Sequence, residues 1–106
     1  MKILFDQGTP APLRKPLAPY LVETAYEKGW SDFKNGVLLA LAEAEGFDVL
    51  ITTDQNLPYQ QNLTGRQISI VVLMTTSWPR IKKHCEQIAV TIDQLQPGKY
   101  VEIEIL

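Results

Sequence analysis

No stretch of this chain approaches the ~18 consecutive apolar residues that a membrane span requires, and its 106 residues include one cysteine, Cys85, and one histidine, His84. The first lack excludes a transmembrane helix and any membrane partner of that kind. The second excludes an internal disulfide, so a reducing cytoplasm is the expected compartment. Met1-Lys2 leads straight into an apolar segment, and no signal peptide is expected. Basic charge is also short: a formal net charge of −2 removes the counterion-release drive behind non-specific nucleic-acid binding, so any such contact must be local. Zinc spacings, a nucleophile elbow and a glycine-rich phosphate loop are all missing. His84 and Cys85 are sequence neighbours that cannot share a helix face, and they read as a surface imidazole and a core thiol.

What is present is ordinary in bulk, with 45% apolar and 21% charged residues, and 106 residues fit a single domain, 1–106. Residues 2–6 are short and apolar without alternation, as in a parallel strand covered on both faces. Thr9-Pro10-Ala11-Pro12 reads as a capped helix start with Thr9 as N-cap, closed early by Pro16. Residues 20–24 form a weaker strand, and 25–30 a short turn or helical piece ended by Gly29. Residues 35–45 are the clearest helix, with Val37, Leu38, Leu41 and Ala42 at helical spacing and Gly46 at its end. Further strands are expected over 49–53 and 68–74, the second rich in β-branched residues. One last helix starts near Ser77 and turns Ile81, Cys85, Ile88, Ala89 and Ile92 inward. Residues 100–106 alternate, Val101, Ile103 and Ile105 against Glu102 and Glu104, as a half-exposed edge strand open to pairing with a second copy. A βα order with connections too long for hairpins predicts an α/β fold, a mainly parallel sheet of about five strands with helices on both faces.

Two of these strands end in an acid: Lys2-Ile3-Leu4-Phe5-Asp6 and Val49-Leu50-Ile51-Thr52-Thr53-Asp54. In an open parallel sheet, ligands gather outside the carboxyl ends of the strands. If the two lie side by side, Asp6 and Asp54 share one crevice, where like charges require a cation or a proton to coexist. A lone aspartate at a strand end also serves as a helix cap. The pair together favours a metal site.

Ile3-Leu4-Phe5-Asp6-Gln7-Gly8-Thr9-Pro10, the helix from Asn35 to Ala42, and Leu50-Ile51-Thr52-Thr53-Asp54-Gln55-Asn56-Leu57 together resemble the short PIN-like domains, over roughly residues 1 to 80. The resemblance implies a Rossmann-like, three-layer PIN-like fold and a metal-dependent endoribonuclease, with Mg²⁺ or Mn²⁺ held by Asp6 and Asp54. It also implies a role as the toxin of a toxin–antitoxin pair, with an antitoxin protein as partner. Asn35 stands where the family has an acid, and Asn56 replaces the second acid of Asp-x-Asp. An amide oxygen can ligate a hard cation but brings no charge. Asn35 and Asn56 therefore complete the catalytic set only weakly, and the alternative is a catalytically impaired RNA- or protein-binding module on the same fold. A second likeness, to response-regulator receivers, rests on Asp54 and the threonine after strand four. It lacks an acid pair after strand one, and Lys99 precedes the last strand.

Other residues at the same edge extend the site. Glu23, Glu27 and Asp32 are either further acids for it or solvated surface groups. Gln55, Tyr59 and Gln60 belong to an amide-rich segment suited to single-stranded RNA, since amides read base edges and a tyrosine stacks on an unpaired base. A short amphipathic helix explains that segment as well. Thr75 and Thr76 offer hydroxyls to a phosphate or to a helix cap. Lys34 and Arg66 are the basic residues expected nearest the site.

Overall fold

The fold is described from a computed structural model, which covers residues 1–33, 35–55 and 65–106. Its frame is a five-stranded sheet: β1 (Lys2–Phe5), β2 (Leu21–Thr24), β3 (Val49–Thr52), β4 (Ser69–Leu73) and β5 (Tyr100–Ile103). The order across the sheet is β2-β1-β3-β4-β5, and all four neighbouring pairs are parallel. β3 and β4 are buried along their whole length, as the unalternating apolar runs predict.

The two-residue period of a strand sends alternate side chains to opposite faces. Ile3, Phe5, Ile51, Val71 and Leu73 pack on one face with Leu13 and Leu17 of a 3₁₀ helix (Ala11–Leu17) and with Ile81, Ile88 and Ile92. Those last three come from helices α3 (Trp78–Lys82) and α4 (Cys85–Asp93). Leu4, Leu50, Ile70 and Val72 meet Ala25 of α1 (Ala25–Lys28) and Leu38, Leu39 and Ala42 of α2 (Asn35–Ala44) on the other face. The result is a three-layer α/β/α domain. Among the described residues no helix is long and apolar enough to cross a membrane.

Several local expectations need correction. Thr9 is not a helix cap: Pro10 occupies that position with no side-chain hydrogen bond. Pro16 does not end the segment, which runs one residue further as a 3₁₀ helix. Pro10 and Pro12 fall where N–H groups are unpaired in any helix, but Pro16 lacks the N–H that an α-helix would bond back to Pro12, and the segment is wound in three-residue turns. The buried face of α2 is Leu38, Leu39 and Ala42, while Val37 is 53% exposed. The single last helix is two helices. The N–H groups of Lys83 and His84 bond three residues back, to Arg80 and Ile81, which tightens the chain between α3 and α4 while keeping Ile81, Ile88 and Ile92 inside.

The edges behave as the pattern implies. β5 ends the sheet, with Ile103 and Ile105 buried and Glu102 and Glu104 exposed. Thr24 caps α1 through a reciprocal pair: its hydroxyl accepts the Glu27 N–H at 3.1 Å, and the Glu27 carboxylate accepts the Thr24 N–H at 2.9 Å. Gly29 closes α1 with φ +76°, a left-handed conformation that favours glycine.

Candidate functional site

From β1 the chain moves to β2 on one side and later to β3 on the other, so the strand order reverses between β1 and β3. A crevice opens at such a point, outside the carboxyl ends of the strands. Phe5 is in register with Ile51, and the Asp6 N–H bonds to the Ile51 carbonyl at 3.1 Å, so the zipper of the two strands runs to the very residue before the crevice. Asp6 follows β1 directly, and Asp54 follows β3 by two residues. Both acids are therefore delivered to one edge by neighbouring strands.

Thr52 connects them. Its hydroxyl donates to Asp6 Oδ2 and accepts the Asp54 N–H at 3.1 Å. Asp6 Oδ1 receives the Gly8 N–H at 3.1 Å and faces the Thr9 hydroxyl at 2.9 Å. That hydroxyl also lies 2.8 Å from the Ile51 carbonyl, and its one hydrogen serves one acceptor at a time. Thr53 completes the tie by donating to the Gly8 carbonyl at 3.0 Å. Gly8 is glycine for a steric reason, since a Cβ there would sit 2.4 Å from Thr53 Oγ1.

The network holds a half-buried carboxylate. Burial pushes the Asp6 carboxyl above its ordinary 3.8, and hydrogen bonds from Thr52, Thr9 and Gly8 pull it only part of the way back. Among the described residues no lysine or arginine forms an ion pair with Asp6. Asp54 is half-buried and Gln55 exposed. Thr52, Thr53 and Thr9 are buried polar residues whose role here the sequence reading missed. Their partners lie on the neighbouring strand or across the loop, so no spacing within one segment announces them.

A recess of about 330 Å³ opens beside Asp6, lined also by Gln7, Trp30, Ser31, Asp32 and Phe33. A second, of about 300 Å³, lies at the opposite edge near Asp48, Ser69 and Pro97 and has no aromatic lining.

Other expected site residues go elsewhere. Glu23 lies 4.0 Å from Lys2 Nζ and 3.7 Å from Lys28 Nζ, and Glu27 pairs with Arg14. Neither joins Asp6 and Asp54. Arg66 precedes β4 and so lies at the opposite edge, bonded to Glu43 at 2.9 Å. Thr75 does sit at the carboxyl edge, where its hydroxyl accepts the Ser77 N–H at 3.1 Å, and Thr76 is exposed beside it. His84 Nδ1 lies 3.0 Å from the Arg80 carbonyl, and burial pushes the Cys85 thiol up, in keeping with structural roles for both. Lys34, Asn56, Tyr59 and Gln60, and the side chain of Asn35, lie outside the described residues.

As a donor set, the two carboxylates suit a hard divalent cation in kind. In number they are few: among the described residues no three of histidine, cysteine, aspartate and glutamate lie together as metal ligands would. Comparison with family models, with curated proteins and with solved structures finds no match to this chain.

Proposed function

We propose that this chain is a PIN-like domain and a metal-dependent endoribonuclease with a weakened acidic site, acting on single-stranded RNA at the crevice between β1 and β3. The observation that carries the reading is Asp6: a half-buried carboxylate at the strand switch point, hydrogen-bonded by Gly8 and Thr52, with no ion-pair partner among the described residues. A buried charge without a countercharge is costly, and a bound cation relieves that cost. Asp6 and Asp54 would hold Mg²⁺ or Mn²⁺, which when bound supplies an activated water and offsets charge at a scissile phosphate. Thr52 orients both acids, donating to one and receiving the backbone of the other. Asn35 and Asn56 remain proposed neutral contributors, and an antitoxin-type protein and a second copy along β5 remain proposed partners.

A second reading, a binding module that has lost hydrolysis, is favoured by one specific observation. Asp6 already uses about three of its four acceptor positions on protein donors. The two readings part in a cleavage assay on labelled single-stranded RNA with Mn²⁺ or with a chelator. Cleavage that needs the metal, and disappears in Asp6→Asn and Asp54→Asn, supports the nuclease. Retained RNA binding with no cleavage under any metal supports the module.

A further inference from the structure

The recess adjoins the acid network and shares Asp6 with it. At about 330 Å³ it lies at the small end of ligand pockets, enough for one compact planar group and too little for an extended ligand. Its walls combine two aromatic rings with hydrogen-bond acceptors. Trp30 is fixed by an edge contact to Phe47, with ring centroids 6.3 Å apart at 71°, and Lys28 Nζ lies 5.2 Å from its ring centroid. Phe33 is 45% exposed, a large ring left facing solvent next to a candidate catalytic edge. The polar lining includes the carboxylates of Asp6 and Asp32, which repel a phosphate and accept from N–H donors.

We infer that this recess is a base-binding subsite for an unpaired guanine of single-stranded RNA, stacked on Phe33 and read by the Asp32 carboxylate. The inference rests on the proposed RNA reading and names the recognition that accompanies it. An aromatic face accepts any base, because every base has a π-face. The carboxylate supplies the choice. Guanine alone presents two adjacent donors, N1–H and the N2 amino group, that match the two oxygens of a carboxylate. Uracil presents one donor flanked by carbonyls that face the same charge. A bidentate match of this kind separates right from wrong bases by roughly tenfold or more, and Asp32 is exposed enough to make it.

The test is binding of labelled pentanucleotides by fluorescence anisotropy in a chelator, so that neither metal nor cleavage enters. A U-tract with one central guanosine should bind about tenfold more tightly than the all-U strand. Inosine at the centre, which lacks the N2 amino group, should lose most of that preference. Asp32→Asn should bring the one-guanosine and all-U strands to equal affinity. Phe33→Ala should weaken every strand, and Phe33→Tyr should restore them. Equal binding of all strands by the parent, or a preference untouched in Asp32→Asn, overturns the subsite and leaves the RNA reading standing. Binding of no strand at all overturns the subsite, and the metal-dependent RNA reading is then decided by the cleavage assay. Binding of an arginine-containing pentapeptide in place of RNA would assign the recess to a protein partner and overturn it as well.

Discussion

The tie between Gly8 and Thr53 locks the loop after β1 onto the end of β3, and its strength can be worked out from the geometry. In Gly8→Ala the new Cβ falls 2.4 Å from Thr53 Oγ1, so the threonine must leave its position. Thr53 is 7% exposed and donates to the Gly8 carbonyl at 3.0 Å, so the move breaks a hydrogen bond of a buried hydroxyl. A buried polar group left unpaired costs about 1–3 kcal/mol, and a forced side-chain torsion adds roughly 0.5–1.5 kcal/mol. Gly8 is not among the glycines with positive φ, so alanine also gains about 0.4–1 kcal/mol by restricting the unfolded chain. The net expectation is a loss of about 2 kcal/mol, a large fraction of the stability of a domain this size. Urea unfolding of parent, Gly8→Ala, Thr53→Ala and the double variant measures it. Removing Oγ1 removes the clash, so the double variant should be more stable than the sum of the single losses by about 1 kcal/mol or more. A Gly8→Ala variant within about 0.5 kcal/mol of the parent, or strict additivity in the cycle, would refute the reasoning.

Asp6 sets a pH dependence with a definite sign. Its folded pKa is raised above 3.8, so the stability linked to its protonation is present below pH 3.8 and is lost as pH rises through the folded value. Denaturant midpoints of parent and Asp6→Asn should therefore shift in the variant's favour as pH rises above 3.8, and a gap that narrows instead contradicts the burial account. Thr24→Ala removes the cap of α1 and should cost about 1 kcal/mol in urea unfolding; no change would mean that α1 is held by packing alone. Leu39→Ala empties a fully buried position against the sheet and should cost about 2–5 kcal/mol, whereas Val37→Ala, at an exposed position of the same helix, should change stability by less than about 0.5 kcal/mol.

The sheet was legible because its strands announce themselves: Ile3-Leu4-Phe5, Val49-Leu50-Ile51 and Ile70-Val71-Val72-Leu73 are too short for helices and too apolar for an open face. The parallel sense of the sheet followed from connection lengths and the shared edge of Asp6 and Asp54 from their common strand-then-acid pattern, whereas the full strand order was not legible. Details set by competing local bonds were not legible. Thr9 looks like a cap in sequence, but the Asp6 carboxylate across the loop is a better partner than the proline-rich turn that follows. Val37 fits the helical spacing as well as Leu39 does, and only the position of α2 over Leu4 and Leu50 decides between them. Glu23 and Glu27 stood within sequence reach of the crevice, yet ion pairs with Lys28 and Arg14 engage them away from it. In the site itself the acids could be read, while the threonines that hold them depended on strand register.

The central claim is that Asp6 and Asp54 act together as a cation site. Calorimetric titration of Mn²⁺ and Mg²⁺ into the parent, Asp6→Asn, Asp54→Asn and Glu23→Gln tests it most directly. The account predicts weak binding by the parent, none by either aspartate variant, and parent-like binding by Glu23→Gln, because the two aspartates supply most of the charge that draws a hard cation out of water. Undiminished binding by Asp54→Asn, or no binding by the parent, would contradict it.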